Sequence, residues 1–247
     1  MIRTLMGLSL ASLSLMANAE THRFYGYAFD LASDEYLYTE VHEQVIEDGV
    51  WKRGSIHYFA PDGSEIGKKT LDFSKDEAVP LYRFDMPNQN YAEGISEVGD
   101  QVQLFKINDG KRSEKSIRRE DNLAADSGFH TVLRDNFDAL MAGDTVRMRL
   151  AVAGNLDSYR FRAKKVGETT FDGKPAVALK IELDSLLRLL VDDLQLVYEP
   201  EERRLMEYRG ISNVHNPDTG KPYNARIVYP DEAPDGAPSD LPPLQPS

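Results

Sequence analysis

Cysteine is missing from all 247 residues of this chain. That absence removes thiol nucleophiles, thiolate metal sites, thioether-linked haem and disulfide staples. It also removes the acylated cysteine that a lipoprotein would carry at its processed N-terminus. The sequence contains no Gly-x-Ser-x-Gly elbow, no phosphate-cradling glycine loop and no dinucleotide fingerprint, so no cofactor is expected and no catalytic motif stands out. Basic charge is scarce: 29 Lys and Arg face 41 Asp and Glu, a formal net charge of −12. An acid excess of that size repels phosphate backbones and anionic membrane surfaces, which disfavours nucleic acid as a partner. Beyond residue 19 no apolar run approaches the roughly 20 residues that a membrane-spanning helix needs.

What is present begins with an address. Arg3 supplies a basic start, Leu5 to Met16 is a short apolar run, and Ala17-Asn18-Ala19 has the small residues of a cleavage signal. The apolar run reaches only about 18 Å as a helix, too short for a bilayer core. A cleavable signal peptide over residues 1–19 is therefore expected, cut after Ala19, with periplasmic export of the remainder. Without Arg3 that remainder carries 28 basic and 41 acidic side chains, a charge of −13. The full chain's 41% hydrophobic content is enough to build a core without disulfides.

The body reads mostly as strands, in one β-rich domain over residues 20–229. Tyr25, Tyr27, Phe29 and Leu31 alternate on one face of a half-buried strand. Tyr36 to Glu47 and Val50 to Phe59 flank Asp48-Gly49, a strong hairpin signal. Pro61-Asp62-Gly63 turns into Glu65 to Phe73. Residues 74–95 show no clear period, with Pro80 and Pro87 as interruptions. Val98 to Ile107 reads as a strand, and the charged run Lys111 to Asp126 as a solvated connection or edge strand. A helix is predicted from about Ser127 to Ala142, capped by Asp126 or Ser127 and ended by Gly143. Strands follow over 144–153, 156–167, 176–183, 194–199, 205–209 and 223–229. Six prolines fall in residues 230–247, which are predicted to be a disordered tail outside the core.

A two-residue loop at Asp48-Gly49 sets a register for the first hairpin. It places Leu37, Val41, Val45, Val50, Ile56 and Tyr58 on one face, the buried one. Tyr38, Glu40, His42, Gln44, Trp51, Arg53, Ser55 and His57 share the other. Glu40 then lies opposite His57, and His42 opposite Ser55. Glu40, His42 and His57 on one face make a conceivable zinc site, although a polar outer face is the simpler account. Ser212 and Asn213 fit a turn that bonds nearby backbone better than a catalytic role, and His215 is too close in sequence to Ser212 to be expected as its base. Asp192-Asp193 and Glu201-Glu202 point to opposite faces as sequence neighbours.

Three segments together suggest a family. They are Pro61-Asp62-Gly63 leading to Lys69-Thr70-Leu71-Asp72-Phe73, Asp126-Ser127-Gly128-Phe129 opening the helix, and Tyr198-Glu199-Pro200 through Arg204-Leu205 to Gly210-Ile211-Ser212-Asn213. Over residues 24–229 the chain resembles a family of exported proteobacterial proteins of unknown function. Its strand–helix–strand layout is similar to that of the lipoprotein carriers LolA and LolB. That similarity implies a curved, incomplete antiparallel barrel with helices on its concave side.

The expected fold class is mainly β, a curved antiparallel sheet or open β-barrel with one or two covering helices. Such a sheet leaves apolar inner surface that a helix, a partner or a ligand must cover. Leu186 to Val191 is the most apolar segment of the exported part and reads either as buried core or as a plug over a lipid-sized cavity. Phe129, Leu133 and Phe137 on the helix, with Leu186, Leu187 and Leu190, are the candidate ligand contacts. Non-enzymatic binding of an apolar or lipid-like ligand is the leading functional expectation. The alternatives are an envelope interaction module docking through a sheet edge or the Trp51 face, and a metal-dependent hydrolase.

Overall fold

The computed structural model describes residues 19–185 and 193–241. Fifteen strands among them join a single sheet. They are β1 (Ala19–Asp30), β2 (Tyr36–Glu47), β3 (Val50–Phe59), β4 (Glu65–Asp72), β5 (Leu81–Met86), β6 (Tyr91–Val98), β7 (Gln101–Asn108) and β8 (Lys111–Arg118). After these come β9 (Leu123–Ala125), β10 (Val146–Val152), β11 (Asp157–Phe171), β12 (Lys174–Leu183), β13 (Leu194–Glu199), β14 (Arg204–His215) and β15 (Pro222–Val228). The architecture is that expected from the sequence, one large, curved, open and almost wholly antiparallel sheet. Asp48-Gly49, Asp109-Gly110 and Asp172-Gly173 each take positive φ at both positions (52° and 78°, 50° and 75°, 48° and 75°). That geometry lets a two-residue turn match the twist of its strands.

The strand order explains the shape. It runs β8-β7-β6-β5-β4-β3-β2-β1-β15-β14-β13-β12-β11-β10-β9. The two ends of the order, β8 and β9, are joined by residues 119–122, and the open sheet curls until β8 comes near β11. The seam has no ladder between β8 and β9. Lys115 on β8 instead pairs with Asp157 on β11 at 3.0 Å, and Arg119 pairs with Asp76. β9 and β10 run parallel, and their crossover holds the helices α1 (Phe129–Asp135) and α2 (Phe137–Met141).

The predicted single helix is therefore two short ones behind a 3-10 turn at Asp126–Gly128. The break is at Asn136, whose side-chain amide donates to the Val132 carbonyl at 2.8 Å and competes with the backbone for it. Gly143 ends the second helix at φ 93°, as predicted. Neither Asp126 nor Ser127 caps the first helix with its side chain.

Two cores form on the inner side. Strands β2 to β7 pack Tyr38, Tyr58, Phe73, Phe84, Met86 and Leu104 against β9, β10 and β14. The helices cover the other half, where Leu133, Phe137 and Leu140 meet Met148, Leu179, Ile181 and Leu196. Each fully buried side chain of this size contributes about 1.5–3 kcal/mol relative to exposure.

Four expectations need correcting. Residues 74–95 contain β5 and the start of β6, because Pro80 and Pro87 flank β5 rather than interrupt it. Leu31, expected on the aromatic face of β1, lies past the end of the strand and is exposed, while Tyr25, Tyr27 and Phe29 share that face outside the roll, where Phe171 packs on them. Residues up to Leu241 also join this outer cluster through Ala237 and Leu241, although the tail was expected to stay clear of the core.

The fourth correction concerns the first hairpin. Its register holds only for Glu47–Val50 and Ile46–Trp51, then a bulge intervenes and Val45 pairs with Arg53. Glu40 therefore lies opposite Tyr58, and His42 opposite Ile56. One inserted residue reverses which residues share a face. The face carrying Tyr38, Glu40 and His42 is the inner one, shared with Ile56 and Tyr58.

The outer surface carries cross-strand and same-strand ion pairs such as Arg23–Glu43, Arg83–Asp85, Arg162–Glu182 and Arg209–Glu207. A membrane-spanning barrel would present an apolar band there. Among the described residues no helix is long and apolar enough to cross a membrane.

Candidate functional site

The space inside the roll, with the grooves that open from it, amounts to about 2110 Å³. It lies between the two cores. Phe24, Trp51, Phe129, Phe161, Leu194 and Tyr208 contribute apolar wall, and two clusters of buried polar side chains contribute the rest.

The first cluster centres on Lys69 and Asp126. Lys69 projects inward from β4 between Gly67 and Leu71, a lone charge on a buried stripe. Its Nζ meets Asp126 Oδ2 at 2.6 Å, with the two side chains 6% and 2% exposed. The other oxygen of Asp126 accepts from the Ser127 N–H at 2.7 Å and the Ser127 hydroxyl at 2.9 Å. Asn213 Nδ2 from β14 bridges Asp126 Oδ2 at 3.1 Å and Glu93 Oε1 at 3.3 Å. The remaining oxygen of Glu93 accepts from Tyr91 at 2.6 Å. Every carboxylate oxygen here has a partner, and the four strands and loops that supply them are tied together.

The electrostatics of this cluster are divided. Burial works to raise the Asp126 carboxyl, but the charge and bonds of Lys69 and the Ser127 donors outweigh it and hold Asp126 below the usual carboxylate range. Glu93 is raised, because burial exceeds what Tyr91 and the more distant Lys69 return.

The second cluster centres on Glu40 and His42 of β2. His42 Nε2 donates to Glu40 Oε2 at 2.7 Å, and the Tyr229 hydroxyl donates to the same oxygen at 3.1 Å. Phe24 stacks on the His42 ring with centroids 4.5 Å apart, and Tyr229 meets both rings edge-on. Gly26 makes this possible: a Cβ there would lie 2.6 Å from Tyr229 Cε1 and 2.9 Å from Glu40 Oε2. Burial first, and the Glu40 charge second, push the hydroxyls of Tyr38, Tyr58, Tyr208 and Tyr229 upward. The Tyr38 hydroxyl is fully buried and makes no hydrogen bond among the described residues.

Across the cavity stands His130 on α1. Its Nδ1 shares a 2.6 Å hydrogen bond with Tyr198, and Phe129 packs on its ring at 4.0 Å. Burial pushes its pKa down to about 3, with Arg134 and His42 adding to the effect against Asp126.

The structure separates the residues considered for zinc. Glu40 and His42 meet inside, whereas His57 is outside, its Nδ1 at 2.7 Å from Glu65 Oε1. Among the described residues no group of three His, Cys, Asp or Glu is placed to hold a metal. Of the helix contacts, Phe129 lines the cavity, while Leu133 and Phe137 are buried in the core beneath. Leu186, Leu187 and Leu190 lie outside the described residues. Trp51 is packed against Phe73 at 4.3 Å and donates to the Arg53 carbonyl at 2.7 Å. Ser212 forms its hydrogen bonds with Val214, whereas Asn213 crosses the interior. Reading the sequence did not single out Lys69, Glu93, Asn213 or Tyr229 as site residues. The available signal was a charged residue on a stripe of otherwise apolar alternate positions, as in Tyr91-x-Glu93-x-Ile95.

No protein-family model and no curated protein matches this chain. Its fold is similar to a solved structure, a beta-barrel-like protein of domain of unknown function DUF1849 from Brucella abortus. The TM-score is 0.44 at 7% sequence identity, over 85% of this chain and 96% of that one.

Proposed function

We propose that this chain is an exported envelope protein that holds an amphipathic, lipid-like molecule inside its rolled sheet. One observation carries the ligand reading: the interior space has an aromatic and aliphatic wall together with a polar cluster that has bonding capacity left over. Binding sites for small molecules combine a mostly apolar lining with a few placed polar groups. The export reading rests on residues 1–19 alone, with their basic start, short apolar run and small-residue cleavage signal.

Native mass spectrometry of the purified protein, with solvent extraction of what it carries, tests the first part. An amphiphile in the extract, or a displaceable fluorescent apolar probe, is the expected result. A protein that carries none and binds no probe overturns the reading. N-terminal sequencing of material from the periplasm tests the second, with Glu20 expected as the first residue. Docking of a partner through Trp51 receives less support, since the indole is already engaged on both its ring face and its N–H.

A further inference from the structure

The Glu40 end of the cavity points to the headgroup of the ligand, an inference that rests on the amphiphile reading above. A buried carboxylate needs a counter-charge or a full set of donors. Glu40 is 5% exposed, and its two hydrogen bonds both fall on Oε2. Among the described residues His42 is the one basic side chain within ion-pair distance of it. Lys69, the nearby buried cation, is committed to Asp126.

What surrounds Glu40 is aromatic. Tyr38, Tyr58, Tyr208 and Tyr229 are close enough to feel its charge, and Phe24 adds a ring against His42 and Tyr229. Tyr38 lies two residues from Glu40 on the same strand face, and both line the cavity. Its hydroxyl is 0% exposed and unpartnered, while the neighbouring Ser212 hydroxyl is engaged with Val214. Rings around a carboxylate form a site for an ammonium group, which gains from the ring faces and from the charge. An anionic headgroup would meet repulsion here and from the net charge of −12.

We propose that Glu40, with Tyr38, Tyr208, Tyr229 and Phe24 around it, binds the ammonium group of a cationic amphiphile whose hydrocarbon chain occupies the cavity. The second oxygen of Glu40, which carries neither of its hydrogen bonds, accepts an ammonium proton.

Titration calorimetry at pH 7 tests this with three probes of equal chain length: dodecylammonium, dodecyl maltoside and dodecyl sulfate, each below its micelle concentration. Dodecylammonium is expected to bind about tenfold more tightly than dodecyl maltoside, with dodecyl sulfate weakest. Glu40→Gln is expected to abolish that preference, by weakening dodecylammonium more than dodecyl maltoside. Equal affinities, or tighter sulfate binding, overturn the headgroup assignment and leave amphiphile binding standing. No binding of any probe overturns both. The ranking on the unaltered protein stands even if Glu40→Gln fails to fold.

Discussion

Asp126 and Glu40 are two buried carboxylates in the wall of one cavity, satisfied in opposite ways. Asp126 has a lysine on one oxygen, two serine donors on the other and an asparagine that ties it to Glu93. Glu40 has a histidine and a tyrosine donor crowded on one oxygen, beside a tyrosine hydroxyl with no partner among the described residues. A closed network holds strands in place, because removing any member strands a buried charge. An open one keeps capacity for something else. The difference separates a structural keystone from the surface proposed to bind the ligand, without appeal to any motif.

The sharpest way to break the comparison is to remove one member from each cluster. Lys69→Met leaves Asp126 buried and uncompensated, and is expected to cost about 3–5 kcal/mol in urea unfolding. Glu40→Gln keeps an acceptor for His42 and Tyr229 and is expected to cost about 1 kcal/mol or less. Equal losses would erase the distinction.

Acid sharpens it next. His130 is neutral when folded, with its pKa near 3, against about 6.5 in an unfolded chain. A depressed histidine contributes stability that is full above pH 6.5 and is lost as pH falls towards 3. The expected loss is about 1–3 kcal/mol by pH 4, since part of the ring still meets the solvent of the cavity. Asp126, held low, loses its contribution only below its unfolded value near 3.8. Glu93, held high, acts in the other direction and favours the folded state as it protonates. Urea unfolding at pH 7, 5 and 4 should therefore show a loss that His130→Gln flattens.

Gly26→Ala probes the open cluster through its geometry. The new methyl displaces Tyr229 and Glu40, at an expected cost of about 1–3 kcal/mol and with loss of amphiphile binding. The smallest effect has the opposite sign. Tyr38→Phe removes a buried hydroxyl without a partner, so stability is expected to be unchanged or to rise by up to about 1 kcal/mol. A clear destabilisation would show that this hydroxyl is paired in solution.

Much of the fold was legible in local patterns. Asp48-Gly49 and Asp172-Gly173 marked hairpins because Gly tolerates the positive φ of a tight turn and Asp does so better than most residues. Phe137, Leu140 and Leu133 marked the helical face because their spacing follows the helix period. The site was far less legible. One bulge near Lys52 reversed the pairing of β2 and β3, and no composition rule announces a bulge. Glu40 and His42 were grouped correctly on one face, but that face was assigned to the outside because polar residues usually are there. Asn213 was read as a turn residue, since nothing local places it beside Asp126 and Glu93, which lie 87 and 120 residues away.

The amino-acid sequence by itself determined the elements: alternating strands, glycine turns, one helical stretch, a core built without disulfides. These follow from short-range sterics and from the two periodicities of backbone structure. Which face of each strand became the interior, and which charges met there, was decided only when the sheet rolled. The curl of the open sheet brings Glu40, Lys69, Glu93 and Asp126 together on its inner side, and the cost of burying charge then selects which of them pair. That selection depends on distances between residues far apart in the chain, and only the tertiary structure contains those distances.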